Sequence, residues 1–162
     1  MRHAMAIITC TEKQREITVS TSRFGELSVN PEKIITLTSP FLGFPEAKRF
    51  FIKQHGEESP FLWLQSLDDP KLAFVSMQAA VLTPQYQPEI SSLTRQELQA
   101  APEQALEVLL ILTVPKGNPE GMTANLMGPV VINTEKCLAK QVLQNPSRYE
   151  ACWPVFTREE AE

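Results

Sequence analysis

Phe61-Leu-Trp-Leu-Gln-Ser-Leu-Asp-Asp-Pro-Lys-Leu-Ala-Phe74 is the stretch on which the fold turns. Pro60 introduces it, and Phe61 to Ser66 is apolar on both faces, the pattern of a central strand. Asp68-Asp69-Pro70 then supplies turn chemistry, since an Asp side chain bonds to nearby backbone and Pro fixes φ. Leu72 to Met77 resumes the β pattern, so the whole stretch reads as a hairpin with an acidic tip.

Upstream of this hairpin, Arg15-Glu-Ile-Thr-Val19 alternates charged and β-branched residues, and Phe24 to Val29 places Leu27 and Val29 on one face. Asn30-Pro31 marks a turn, and Ile34 to Thr38 and Arg49 to Lys53 read as further strands. Between these two, Phe41-Leu-Gly-Phe-Pro45 is turn-like, and Pro45-Glu-Ala-Lys48 is expected to form one helical turn with Pro at its start.

Downstream, Pro84, Pro88 and Pro102 bracket one short helix, Arg95 to Ala100, for which Thr94-Arg-Gln-Glu97 has the form of a capping box. Leu106 to Val114 is the longest strand, stopped by Pro115, and Lys116-Gly-Asn-Pro119 is a turn. Ala124 to Asn133 and Cys137 to Leu143 give two more, and Pro129 inside the first demands a bulge, an edge or a break. About nine short strands with one or two short helices predict a mainly β fold, an antiparallel sandwich or a partly open barrel. No repeat or linker divides the chain, so one domain is expected over residues 15–154, with 1–14 and 155–162 as loose ends.

Composition narrows the function. The chain has 162 residues, 43% of them apolar, enough for one self-supporting core. Its three cysteines, Cys10, Cys137 and Cys152, are odd in number and form no CxxC pair, which points to reduced thiols in the cytoplasm. No run approaches the roughly 20 apolar residues of a membrane span. The apolar run Ala4 to Ile8 is too short for a secretory signal.

Net charge is −4, and residues 54–115 hold eight acids against two bases, Lys71 and Arg95. That sign opposes direct nucleic-acid binding and favours a basic partner. Only His3 and His55 are present, in no metal-binding spacing, and neither GxSxG nor a Walker A pattern occurs. Asp68 and Asp69 read as turn residues or partner contacts before catalytic carboxylates. Adjacent side chains on an extended backbone point to opposite sides. Trp63 and the Phe residues at 50, 51, 61 and 74 read as core before a stacking platform for bases, whereas Phe41 and Phe44, in a loop, suit a partner-facing role. Nothing in these residues supports an enzyme, and no cofactor is implied.

Short segments in order then carry a resemblance. They are Thr21 to Val29, Leu42-Gly-Phe44, Lys48-Arg-Phe50, Phe61 to Phe74, Leu112-Thr-Val-Pro115, Met122-Thr-Ala-Asn-Leu126, Gly128 to Asn133, Lys140-Gln-Val-Leu143 and Arg148-Tyr149. Over roughly residues 17–153 the chain resembles the FliW family of flagellar assembly factors. It departs from the pattern at Thr38-Ser-Pro40, where Pro-Glu-Gly is more usual, and in its extra first 14 residues. The resemblance implies a non-enzymatic cytoplasmic protein that binds flagellin and CsrA, a small RNA-binding repressor of flagellin translation. By antagonising CsrA it would tune that translation. The alternative it leaves is a flagellin export chaperone with no role in RNA control. Motif position and expected exposure nominate the partner contacts: Phe41, Leu42 and Phe44; Leu67, Asp68 and Asp69 at the hairpin tip; and Met122, Asn125 and Leu126. Oligomeric state is not written in these segments.

Overall fold

The structure, a computed structural model, describes residues 16–156, so the expectations for His3, Cys10 and the ends at 1–14 and 157–162 lie outside it. In chain order the elements are β1 (Ile17–Thr21), β2 (Gly25–Val29), β3 (Ile35–Leu37), β4 (Arg49–Gln54), β5 (Phe61–Ser66) and β6 (Ala73–Gln78). Two short helices follow, α1 (Ala79–Leu82) and α2 (Ser92–Glu97). The chain then forms β7 (Glu107–Thr113), β8 (Thr123–Ala124), β9 (Val130–Asn133), β10 (Leu138–Gln141) and β11 (Trp153–Pro154).

The mainly β expectation holds in its barrel form. β7, β6, β5, β4, β3, β10 and β9 pair in succession, and β9 returns to β7 (Glu107 opposite Ile132, Leu109 opposite Val130), closing a seven-strand ring. Every pairing in the ring is antiparallel except β10 with β3, where Leu138 faces Thr36 and Ala139 faces Leu37. β8 and β11 extend the sheet outward from β7, and β1 and β2 form a separate hairpin.

Strand alternation sorts the apolar residues into an inside and an outside. Ile35, Leu37, Phe50, Leu64, Leu109, Val130, Ile132 and Ala139 share one buried cluster, the barrel interior, into which Phe41 and Ala47 pack from the β3–β4 connection. Their neighbours along the strands face outward and are covered in three patches. Leu110 and Leu112 of β7 and Met77 of β6 lie with Met122, Ala124 and Leu126 around β8. Phe51 of β4 lies with Val19 and Val29 of the β1–β2 hairpin. Val131 of β9 lies with Leu98, which follows α2, and with Val142. Covering both faces is why so many strands read as apolar throughout.

Five local expectations are corrected. The single strand Ala124–Asn133 is two strands. Pro129 lacks the N–H a ladder needs, and Asn125 Oδ1 accepts from Met127 N and Gly128 N, both at 3.0 Å, in a turn that separates β8 from β9. The helix near Pro88 begins three residues early, because Ser91 rather than Thr94 is its N-cap and accepts from Thr94 N at 3.1 Å. Thr94 is buried inside it. Pro45–Lys48 makes no helical turn: Ala47 N closes one turn onto Phe44 O at 3.2 Å, while the N–H of Lys48 bonds elsewhere. Cys137 does not start a strand but holds φ at 53° in the β9–β10 turn. Val155, placed by the sequence at the start of a loose end, donates its N–H to Met122 O at 3.0 Å and packs on the β8 patch.

Asn133 shows how the outer layer is tied to the barrel. Fully buried at the end of β9, it donates to Leu98 O at 2.7 Å and accepts from Gln104 Nε2 at 2.8 Å and Glu135 N at 3.1 Å. Burial separates structural leucines from surface ones. Leu109→Ala, in the barrel interior, is expected to cost about 3 kcal/mol in denaturant unfolding. Leu143→Ala, at a residue 58% exposed, is expected to cost under about 0.5 kcal/mol.

Candidate functional site

The nine nominated residues fall in three places with different characters. In the β3–β4 connection, Gly43 adopts φ +87°, a left-handed turn that suits glycine, and Phe44 N closes it onto Phe41 O at 3.0 Å. Phe41 is buried, 5.3 Å from Phe50 and 5.5 Å from Phe74 between ring centres, and Phe44 stands edge-on to Phe74 at 5.1 Å. Two rings thus pin the loop to the barrel. The residue between them and the glycine, Leu42, is held outward at 71% exposure.

Beside Leu42 lies a hollow of about 780 Å³, bordered by Ser39, Pro40, Ile90, Lys140 and Leu143. It opens where β3 and β10 part after their short parallel pairing. The charged groups near it are matched: Lys140 Nζ meets Glu97 Oε2 at 2.8 Å, and Arg148 meets Glu89 Oε1 at 2.7 Å. The rest of the wall mixes polar groups such as Ser39 and Asn145 with two exposed apolar side chains, Leu42 and Leu143.

The hairpin tip is tied inward. Asp68 Oδ2 accepts from the backbone N–H of both Lys48 and Arg49 at 2.8 Å, and Oδ1 from Arg49 Nη2 at 3.0 Å. Ser66 Oγ accepts from Asp68 N and Asp69 N, and Asp69 Oδ1 from Lys71 N. Gln65, fully buried, donates Nε2 to the carbonyls of Ser66, Pro70 and Leu72. Leu67 is half-buried against Phe51 and the β1–β2 hairpin. The Asp68 side chain thus clamps β5–β6 to the start of β4, whereas Asp69 keeps one turn bond and remains exposed.

The third place is mostly interior. Met122 and Leu126 are buried under β7, Asn125 makes the turn before Pro129, and Tyr86 Oη donates to Leu126 O. Burial of the Tyr86 phenol, with Tyr149 beside it, pushes its pKa well above the usual value, so it stays a donor. Of the nine residues, Leu42, Phe44, Asp68 and Asp69 are exposed, Asp68 with its carboxylate engaged by Lys48 and Arg49, and Phe41, Met122 and Leu126 are packed away.

The acidic stretch 54–115 also looks different once folded. Asp68, Glu89 and Glu97 are each paired with a base from outside it, Arg49, Arg148 and Lys140. Sequence reasoning missed one cluster altogether. Arg23, Phe24, His55 and Trp63 meet on the outer side of β5, where the signal was an aromatic inside a strand with cations in the flanking segments. Among the described residues, no three His, Cys, Asp or Glu side chains gather as metal donors, and no helix is long and apolar enough to cross a membrane.

Asp68 carries a prediction with a defined sign. Partial burial would raise its carboxyl pKa. The N–H donors of Lys48 and Arg49 and the Arg49 guanidinium outweigh this and hold it below the usual value. A depressed folded-state pKa stabilises above the unfolded value and is lost as pH falls through the folded one. Asp68→Asn is expected to cost about 1–2 kcal/mol at neutral pH. It should also flatten the fall in unfolding free energy between about pH 5 and pH 3, read from denaturant melts.

Three comparisons bear on what this arrangement is. A sequence profile described as FliW protein matches residues 15–155. The flagellar assembly factor FliW of Syntrophus aciditrophicus is 35% identical over 142 residues, covering 88% of this chain and 89% of that one. The flagellar assembly factor FliW of Geobacter sulfurreducens is 36% identical over 85% of this chain and 86% of its own. A crystal structure of the flagellar assembly factor FliW superposes with a TM-score of 0.79 at 31% identity, over 88% of this chain and 99% of that one. Sequence and fold agree across the whole barrel: the chain belongs to the FliW family of flagellar assembly factors.

Proposed function

We propose that this protein is a non-enzymatic cytoplasmic regulator that binds flagellin and a CsrA-type RNA-binding repressor, antagonising the repressor and so tuning flagellin translation. The observation that carries the reading is the match to FliW relatives over the whole barrel, with nearly the full length of a solved FliW structure covered. The geometry adds support of its own. Leu42 stands 71% exposed on a loop that two phenylalanines hold rigid, beside a hollow whose nearby charges are already paired. A rigid, exposed apolar anchor next to a hollow suits a protein contact, because little conformational entropy is lost on docking.

Charge adds a second support. Glu57, Glu58, Glu103 and Glu107 have no ion-pair partner among the described residues and leave the 54–115 stretch net acidic. An acidic surface docked on a basic RNA binder would repel phosphate approaching the same protein. The exposed leucines, taken alone, equally suit an export chaperone that shields apolar ends of flagellin, so the two readings need separating.

Calorimetric titration with CsrA and flagellin from the same organism makes that separation. Binding to both, with one weakening the other, is the expected result, and the CsrA contact should weaken as salt rises. Binding to flagellin alone would make the protein a chaperone, and binding to neither would end the proposal. Leu42→Asp is expected to weaken at least one of the two about tenfold, with the melting temperature unchanged.

A further inference from the structure

Two cations in the described part of the protein lack a carboxylate partner and instead lie on aromatic rings. The Arg23 guanidinium carbon sits 4.3 Å from the centre of Trp63, and Lys53 Nζ sits 5.2 Å from the centre of Phe24. Three ion pairs form among the described residues, through Arg49, Lys140 and Arg148, and neither Arg23 nor Lys53 joins one. The rings themselves are fixed. Phe24 meets Trp63 edge-on with centres 5.7 Å apart, and Trp63 Nε1 donates to His55 Nδ1 at 3.1 Å. β1–β2 is thus fastened over β5 through its turn, with the positive groups on the outer side.

Next to these cations is a hollow of about 450 Å³ whose wall includes Arg23, His55, Trp63, Phe74, Val114 and Met122. Its apolar wall is not sealed, since Val114 is 44% exposed. A hollow with a partly apolar wall and the unpaired Arg23 at its border is complementary to a ligand that is bulky and apolar at one point and anionic at the next. A guanidinium laid on an indole keeps N–H donors for a carboxylate, and stacking limits the rotamer freedom lost when it binds.

We propose that this hollow docks an extended partner segment that pairs a bulky apolar side chain with a neighbouring carboxylate. The apolar group sits against Val75 and Val114, and the carboxylate meets Arg23 with Lys53 nearby. Nucleic acid fits less well, because Arg23 already covers a face of Trp63 and two cations neutralise few phosphates. The hollow lies outside the Leu42 loop and differs from it in character: there the nearby charges are matched, here Arg23 on the wall and Lys53 beyond it join no ion pair among the described residues. The inference goes beyond the flagellin and CsrA reading, and it stands or falls without either partner, because its probe is synthetic.

The probe is an acetylated, amidated Glu-Phe-Leu-Glu peptide titrated into the full chain, read by the NMR signal of the Trp63 indole N–H. A saturable shift is expected at Trp63, and the Gln-Phe-Leu-Gln peptide should bind about fivefold more weakly, the scale of a partly exposed ion pair. Arg23→Gln should remove most of that difference while the backbone signals of Ile17–Val29 stay in place, which separates a lost contact from a loosened hairpin. Equal binding of the two peptides, no shift at Trp63, or an unchanged preference in Arg23→Gln would each overturn the proposal. So would a Trp63 shift on concentrating the protein without peptide, since the occupant would then be a second copy.

Discussion

β7 is bonded along both edges, and the barrel exists because of it. One edge pairs with β6, and the other takes β9 over Glu107–Leu109 and β8 over Leu112–Thr113. For one edge to take two strands, the chain between them must leave the ladder and return. Asn125 and Pro129 bring this about, one by accepting from the backbone N–H groups of Met127 and Gly128 and the other by lacking an N–H. Without that break, Ala124–Asn133 could run on as a single strand and leave β9 outside the ring. An open sheet would expose the apolar inner faces of β4, β5 and β7 and present two unpaired edges to other chains. Closure by β9, and through β10 by the parallel pair with β3, removes both.

A ring this small cannot bury the outer faces of its own strands, so the remaining chain is arranged as three covers. The β1–β2 hairpin lies over Phe51, the β8 and β11 strands with α1 over Leu110 and Met77, and the segment after α2 over Val131. Each cover is fastened by polar bonds rather than by apolar contact alone: Ser22 N to Pro70 O at the hairpin, Leu126 N to Glu150 O near β11, Asn133 Nδ2 to Leu98 O after α2. Covers fastened at defined points leave seams between them. The hollows at Leu42 and at Trp63 are such seams, and the proposed docking places lie in them.

The sequence was most legible where alternation and turn chemistry agreed. β5 is found at its expected residues and β6 one residue later than expected, because Phe61–Ser66 is apolar on both faces and Asp68-Asp69-Pro70 has turn chemistry. Closure was not legible, since the β7–β9 pairing joins residues about 25 apart across a prolyl break and no local pattern encodes it. β8 and β11, two residues each, are too short for periodicity to register. α2 starts three residues before the place that Thr94-Arg-Gln-Glu97 implies, because Ser91 caps the helix without a Glu or Gln three residues on and Thr94 is buried within it.

The candidate site was legible in position but not in orientation, and that difference has a physical reading. A motif recurs in a family for either of two reasons, contact or construction, and a sequence alone does not separate them. Here Phe41, Asp68, Met122 and Leu126 face their own barrel, and their chemistry is used up on it: rings against Phe50, a carboxylate on Lys48 and Arg49, apolar groups under β7. Leu42 sits inside the same motif as Phe41 yet has no such use, and holding it exposed on a rigid loop gains nothing for folding. Arg23 and Lys53 are alike in this respect, charges laid on rings and joined to no carboxylate among the described residues. Groups the fold holds in place without using them are where partner recognition is to be sought. By that criterion the loop at Leu42 and the cluster at Trp63 outrank the acidic hairpin tip.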